Sequence, residues 1–337
     1  MSLSKIEQAL AAAADGVAGV VALATTASET IYEGAFGRRA VTADIPMTLD
    51  TIFWLASMTK AVVSVAAMQL VERGDMALDA PVTDVLAALL PAQVLTGFDA
   101  SGSPRLRPAV GKVTLRRLLS HTSGYGYSFW SEALVQHQRH HGLGVVPGNW
   151  DELGNAPLLS DPGSRWSYGI SHDVAGKMVE AVSCLSLDEY LHSEVLGPLG
   201  MADTGVSLSP AQRSRVATMH ARQPDGSLAP MAFPVGGGPG FCMGGGALCG
   251  TGPDYLRLLR MILNQGTVDG RRVLSADSVA EMGRNQIGEL WVSPLQGAMR
   301  AFTNDVDFLP GMPKKWGTCL AGSTTFVRCA RIVGNSD

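Results

Sequence analysis

Little of this 337-residue sequence is charged: Asp, Glu, Lys and Arg together make up 17%. Twenty-six cations against 30 acids leave a formal net charge of −4, and no basic stripe runs along the chain. Nucleic-acid binders carry a concentrated positive footprint, so nucleic acid is not an expected partner. Cysteine is scarce as well. The five cysteines (Cys184, Cys242, Cys249, Cys319, Cys329) include no C-x-x-C pair. An odd, scattered set indicates neither a zinc site nor a disulfide framework, and it fits a reduced, cytoplasmic setting. No run reaches the roughly 18 uncharged apolar residues of a membrane span, so no membrane association is expected. The Ala-rich N-terminus is interrupted by Glu7 and Asp15 and shows no clear cleavage site, which reads as a helix and not as a signal peptide. No G-x-S-x-G elbow occurs, which argues against an α/β-hydrolase. The glycine clusters Gly236–Gly238 and Gly244–Gly246 match no phosphate-binding spacing and read instead as tight backbone near a site.

What is present is apolar. With 46% hydrophobic residues, and more glycine (39) than Lys and Arg together (26), the chain can build a large core. Length sets a soft prior of two domains. Ser4-Lys5-Ile6-Glu7 has the form of a capping box before a helix over about Lys5 to Ala14. "GVVALATT" and "TIYEGAFGRRAV" predict a β-hairpin, being rich in β-branched residues and bounded by turn formers. A helix from near Ser57 ends at Gly74. "PDYLRLLRMILNQG" predicts an amphipathic helix, and Ser275 to Met282 another. The texture is mixed, then helical between Pro81 and about Ser193, then mixed again. That order implies an α/β (α+β) protein with a discontinuous α/β domain, residues 1–80 and 194–337, interrupted by a mostly helical domain, residues 81–193.

The chemistry starts in "IFWLASMTKAVVSVAAMQL", Ile52 to Leu70. Lys60 is the one charge between Thr51 and Val71, three residues after Ser57. S-x-x-K alone is a weak pattern. Ser2-Leu3-Ser4-Lys5 matches it too and is given no functional weight. A capping serine and a solvated lysine would explain an arbitrary match. Here, however, the lysine falls in the first turn of a helix, where the positive end of the dipole disfavours a cation, and no solvated stripe surrounds it. Residues i and i+3 share a helix face, so the amine reaches the hydroxyl. Burial and the dipole favour the neutral amine, which accepts the serine's proton and leaves an alkoxide to attack an acyl carbon. "RWSYGISHDVAGKMVE" adds Tyr168 just before a predicted helix starting near Ser171 or His172. In isolation it is an anchoring tyrosine. Held near a lysine, a phenol relays protons.

Ser57-Met58-Thr59-Lys60, the Tyr168 segment, "GDMALDAPV", "LLSHTSGY" and "GGGALCGTGPDYLRLLRMILNQG", in this order and spacing, resemble the class C β-lactamase and penicillin-binding-protein superfamily. The similarity is greatest to the family VIII carboxylesterases and covers about Gly16 to Trp316. The resemblance implies a serine β-lactamase-like fold: an antiparallel sheet flanked by helices, plus a mostly helical domain. It implies Ser57 as nucleophile, Lys60 and Tyr168 as the activating pair, and an acyl-enzyme that hydrolyses small esters. Weak β-lactam turnover sometimes accompanies this activity. The oxyanion hole would use the Ser57 N–H and one N–H from a later edge strand. No metal or organic cofactor is implied.

Two departures bear on function. The lactamase-type motif has Asn two residues after the tyrosine; here that position is Ile170, which favours esterase over lactamase. The third motif of relatives, of K-T-G, H-x-G or W-G-G type, is also missing. "PGMPKKWG" is followed by "TCLAGSTTFVRCARIVGNSD", so a truncated or frame-shifted end is expected over residues 318–337. The alternative, a short variant with Lys315-Trp316-Gly317 in the third-motif role, stays open.

Other features are weaker. His137, His140 and His141 in "HQRHH" read as a solvated or loop cluster rather than a metal site. His121 in "LLSHTSG" reads as loop-ordering. Tyr125, Tyr127, Phe129 and Trp130 either line a substrate pocket or pack in the core. The expected function is a serine carboxylesterase for short-chain acyl esters, with a small-molecule ester as its partner. The alternatives are a β-lactamase or D-Ala-D-Ala carboxypeptidase, and an inactive ligand-binding homologue lacking the oxyanion strand.

Overall fold

A computed structural model describes residues 3–87, 92–232, 240–318 and 321–323. The chain forms two compact units, each discontinuous in sequence: Met1–Val62, Asp188–Gly236 and Gly246–Ala276 in the first, and Val63–Leu187, Gly237–Gly245 and Asp277–Asp337 in the second. The last stretch, joined on sequence grounds to the first 80 residues, groups by contact with the middle of the chain.

In the first unit, helix α1 (Leu3–Gly16) leads into a three-stranded antiparallel sheet of β1 (Gly19–Thr25), β2 (Thr30–Ala40) and β3 (Ala43–Pro46), in that spatial order. The helix begins before Lys5, so Ser4 lies inside its first turn instead of capping it. The predicted hairpin is β1–β2, in register from Gly19↔Gly37 to Ala24↔Tyr32, with a one-residue shift before Thr25↔Thr30. The helix Gly252–Leu263 packs on β1. Its N-cap Thr251 accepts from the Asp254 N–H, and its apolar face buries Tyr255, Leu256, Leu258 and Met261. Gly252 lets the helix start close to β1, where a Cβ would push the Leu23 side chain aside. Arg260 clips the helix to the hairpin ends, donating to Thr25 Oγ1 at 2.8 Å and Thr30 Oγ1 at 2.6 Å.

Helix α2 (Thr59–Glu72) carries Lys60 and passes from the first unit into the second. It is buried along nearly its whole length, through Val62, Val63, Val65, Ala66, Ala67, Met68 and Leu70. A helix apolar on all sides is an interior one.

The second unit holds the hairpin Gln93–Phe98/Pro104–Pro108 and the helices Leu115–Leu119, Glu132–His141, Trp150–Gly154 and Ser171–Ser183. Leu115, Leu118 and Leu119 lie on one side of this core, with Val174, Ala175, Met178 and Val179 of the helix that packs against them. The strand Lys314–Trp316 pairs antiparallel with Ala321–Ser323. Among the described residues, no helix is long and apolar enough to cross a membrane.

Candidate active site

Ser57 sits on a 3-10 turn, Ala56–Met58, immediately before α2. The predicted helix is therefore a short 3-10 turn followed by a long α-helix, and the serine belongs to the tighter piece. Several bonds fix this turn within the first unit. Phe53–Trp54 pairs antiparallel with Cys249–Gly250, and Leu55 N–H donates to the Leu248 carbonyl at 2.8 Å. Leu248 N–H donates back to Thr59 Oγ1 at 3.1 Å, the Tyr255 hydroxyl to the Met58 carbonyl at 3.1 Å, and the Trp54 indole to the Gly246 carbonyl at 2.6 Å. Ala56 is held at φ +46°, in the left-handed region that side chains other than glycine seldom adopt.

Ser57 is exposed on this turn, whereas Lys60 is buried, with 1% of its surface accessible. Lys60 Nζ donates to Ser57 Oγ at 3.0 Å. With the amine neutral, the same contact runs the other way, hydroxyl to nitrogen, as a general base requires. Among the described residues no acceptor takes the Ser57 backbone N–H, leaving it available to a developing oxyanion. Sequence spacing revealed the Ser57–Lys60 pair; the groups that brace it (Trp54, Thr59, Leu248, Tyr255) come from far along the chain and carry no local signal.

Tyr168 belongs to the second unit. It is half-buried among rings: His121 at 4.4 Å between centroids, Trp130 at 5.6 Å, Tyr127 at 5.9 Å and Trp316 at 6.3 Å. The predicted helix follows at Ser171–Ser183. Its buried first turn is tied down by Ser123 Oγ to Ser171 Oγ at 2.8 Å, Ser64 Oγ to His172 Nε2 at 3.1 Å, and Gly245 N–H to Asp173 Oδ1 at 3.0 Å. The tight-backbone reading holds at Gly244 and Gly245, where a Cβ would strike the His172 carbonyl and the Tyr127 hydroxyl respectively; Gly236–Gly238 lie outside the described residues. Ile170 is buried. Of the four aromatics named above, Tyr127, Phe129 and Trp130 are in ring contact with one another. Tyr125 is core, and burial pushes its phenol up to about 12.

Two expectations change. The histidine cluster is not simply solvated. His137 is buried on the inner face of the helix Glu132–His141, beside His141 at 4.5 Å, and burial, then the charges of His141 and His140, push it down to about 4. Among the described residues no group of three or more His, Cys, Asp or Glu comes close enough to hold a metal ion. Lys315 donates to the carbonyls of Gly288 at 2.7 Å and Leu290 at 2.8 Å and lies over the Trp291 ring. Its amine is committed to that segment, which weighs against a third-motif lysine. The tail beyond residue 323 lies outside the described residues.

The fold and the serine turn define a class. The chain belongs to the Beta-lactamase family, whose model matches residues 4–312. The chain is 36% identical over 264 residues to a monacolin J acid methylbutanoyltransferase of Aspergillus terreus, covering 74% of this chain and 63% of that one. It is 35% identical over 273 residues to esterase EstB of Burkholderia gladioli, with 72% and 65% covered. The chain thus spans a little under two thirds of either relative. Among solved structures, a LovD6 mutant of the simvastatin synthase LovD from Aspergillus terreus matches with a TM-score of 0.79 at 30% identity, covering 95% of this chain and 81% of that one. The serine β-lactamase-like fold read from the sequence is the fold of this chain, and the family makes it an enzyme of hydrolase or acyltransferase type.

Proposed function

We propose that the protein is a serine carboxylesterase that acts on short-chain acyl esters through an acyl-enzyme on Ser57. The observation that carries this reading is the 3.0 Å contact between a buried lysine amine and an exposed serine hydroxyl. Lys60, neutral in its buried place, takes the Ser57 proton as Oγ bonds to the ester carbonyl carbon. The Ser57 N–H donates to the resulting oxyanion; removing one such donor typically costs about 10²–10³ in turnover. As the C–O bond to the alcohol breaks, the proton passes to the leaving oxygen by way of Tyr168. Water then adds to the acyl-enzyme, Ser57 recovers its proton, and the acid leaves. The esterase relative supports hydrolysis, and the buried Ile170, apolar where a lactamase-type amide would stand, favours esters over β-lactams.

The methylbutanoyltransferase relative supports a second outcome for the same intermediate, in which an alcohol takes the acyl group in place of water. The test is hydrolysis of p-nitrophenyl butyrate by wild type, Ser57→Ala and Lys60→Ala, with intact-mass detection of the butyryl adduct. Loss of turnover by about 10³-fold or more in both variants is expected, by analogy with removing a nucleophile or its base elsewhere. A folded wild type that forms one adduct without turnover would identify a ligand-binding homologue. Nitrocefin turnover faster than ester turnover would identify a β-lactamase.

A further inference from the structure

His121 is fully buried, and its backbone lies at φ +58°. A non-glycine residue persists in that region only where its surroundings hold it there, and such residues cluster at functional sites. The His121 N–H donates to the Leu118 carbonyl at 3.2 Å, and two further hydrogen bonds go to the Tyr168 segment. The His121 carbonyl accepts the Ser167 N–H at 2.8 Å, and its ring Nδ1 accepts the Gly169 N–H at 3.4 Å. Those two residues flank Tyr168 in the chain. The imidazole itself lies against the phenol, with centroids 4.4 Å apart and planes inclined by 36°. Trp316 and Trp166 meet the imidazole edge-on at 5.7 and 6.3 Å, and the His172 ring lies 5.0 Å away.

We propose that His121 is a positioning residue for Tyr168, fixing the backbone on both sides of the tyrosine and the direction of its ring. Accepting at Nδ1 puts the proton of the neutral ring on Nε2. A residue that only ordered its own loop would need the carbonyl bond alone. The ring bond to Gly169 and the face laid on the phenol act on Tyr168 specifically. The inference rests on the reading of Tyr168 as the proton relay, and it adds the group that keeps the phenol in line.

The test is a double-mutant cycle on p-nitrophenyl butyrate hydrolysis, with thermal unfolding recorded for each variant. His121→Gly accepts the positive φ but lacks both the ring and the acceptor. His121→Asn also tolerates that backbone region and returns a side-chain acceptor without the ring. His121→Gly is expected to lower kcat roughly 10- to 100-fold, the scale of a catalytic group displaced by about 1 Å, while KM moves by less than about threefold. His121→Asn recovers part of the loss. In a Tyr168→Phe background, His121→Gly changes kcat by less than about threefold, because the group it positions is gone. Should the glycine variant not fold, His121→Asn carries the same comparison in the two backgrounds, with a smaller loss. An equal loss with and without the tyrosine hydroxyl, or wild-type kcat in a folded His121→Gly, would overturn the positioning role and leave the relay standing. Wild-type kcat in Tyr168→Phe alone would overturn the relay and the inference with it.

Discussion

Ala56 holds φ at +46° one residue before the serine, with Leu55 and Thr59 pinned to Leu248 on either side of it. Nothing about an alanine announces this. The sequence shows a serine and a lysine three apart in an apolar run, and that local spacing survives intact as the 3.0 Å contact. The turn that presents the serine needs partners from residues 246–255, and so escapes any local reading. Two substitutions separate the backbone from the side chain. Ala56→Val places a β-branched residue at positive φ and is expected to lose about 1–3 kcal/mol, the scale of such strain. Its kcat falls as well, because the distortion reaches the Ser57 N–H. Ala56→Gly suits the conformation and is expected to change stability by less than about 1 kcal/mol. Denaturant unfolding and ester turnover measured side by side check both.

At the scale of elements, two polar devices hold the second unit and neither follows from periodicity. The short helix Leu115–Leu119 presents Arg116, whose guanidinium binds Asp79 at 2.7 and 2.8 Å, Glu281 at 2.8 Å, and Gln286. Its hydrogen bonds hold the carboxyls of Asp79 and Glu281 below their usual range. Arg116→Met is expected to cost roughly 2 kcal/mol, the worth of charged hydrogen bonds whose partners lose their donor. Thermal unfolding at neutral pH measures it. The second device is His137. Neutral in the fold and pushed down to about 4 by burial, it contributes stability that is complete above its ordinary value of 6.5 and is lost as pH falls from there toward 4. The melting temperature is therefore expected to fall between pH 6.5 and 4.5, and to fall less steeply in His137→Leu. The aspartates with lowered carboxyls, Asp161 at about 2 among them, lose their contribution only further into acid. A histidine triplet in an otherwise polar helix looks solvated on paper; the inner face shows itself only when that helix has something to pack against.

For the whole molecule, the mixed–helical–mixed texture was enough to read an α/β class and a chain that returns to its first unit. Which stretches associate was not legible, because residues 277–337 join the middle of the chain through contacts such as Ser278 Oγ to Glu72 Oε2 at 3.0 Å and Arg116 to Glu281, both separated by more than 160 residues. In the proposed mechanism, hydrolysis and acyl transfer differ only in what attacks the acyl-enzyme. Adding butan-1-ol to the p-nitrophenyl butyrate assay is expected to yield butyl butyrate beside butyrate, the ester share rising with alcohol concentration. Gas chromatography of the products decides it, and butyrate alone at high alcohol would confine the protein to hydrolysis.

Ser57 and Lys60 lie within a single turn of chain, and their contact by itself demands almost no loop closure. The rest of the machinery depends on residues brought together from long range. Acylation and turnover therefore have different folding requirements. A fluorophosphonate probe, which needs only an activated serine, is expected to label one equivalent of every chain in which residues 246–255 have docked on this turn, including chains otherwise too loosely assembled to release product. Probe stoichiometry set against turnover then counts how many folded serines are working enzymes.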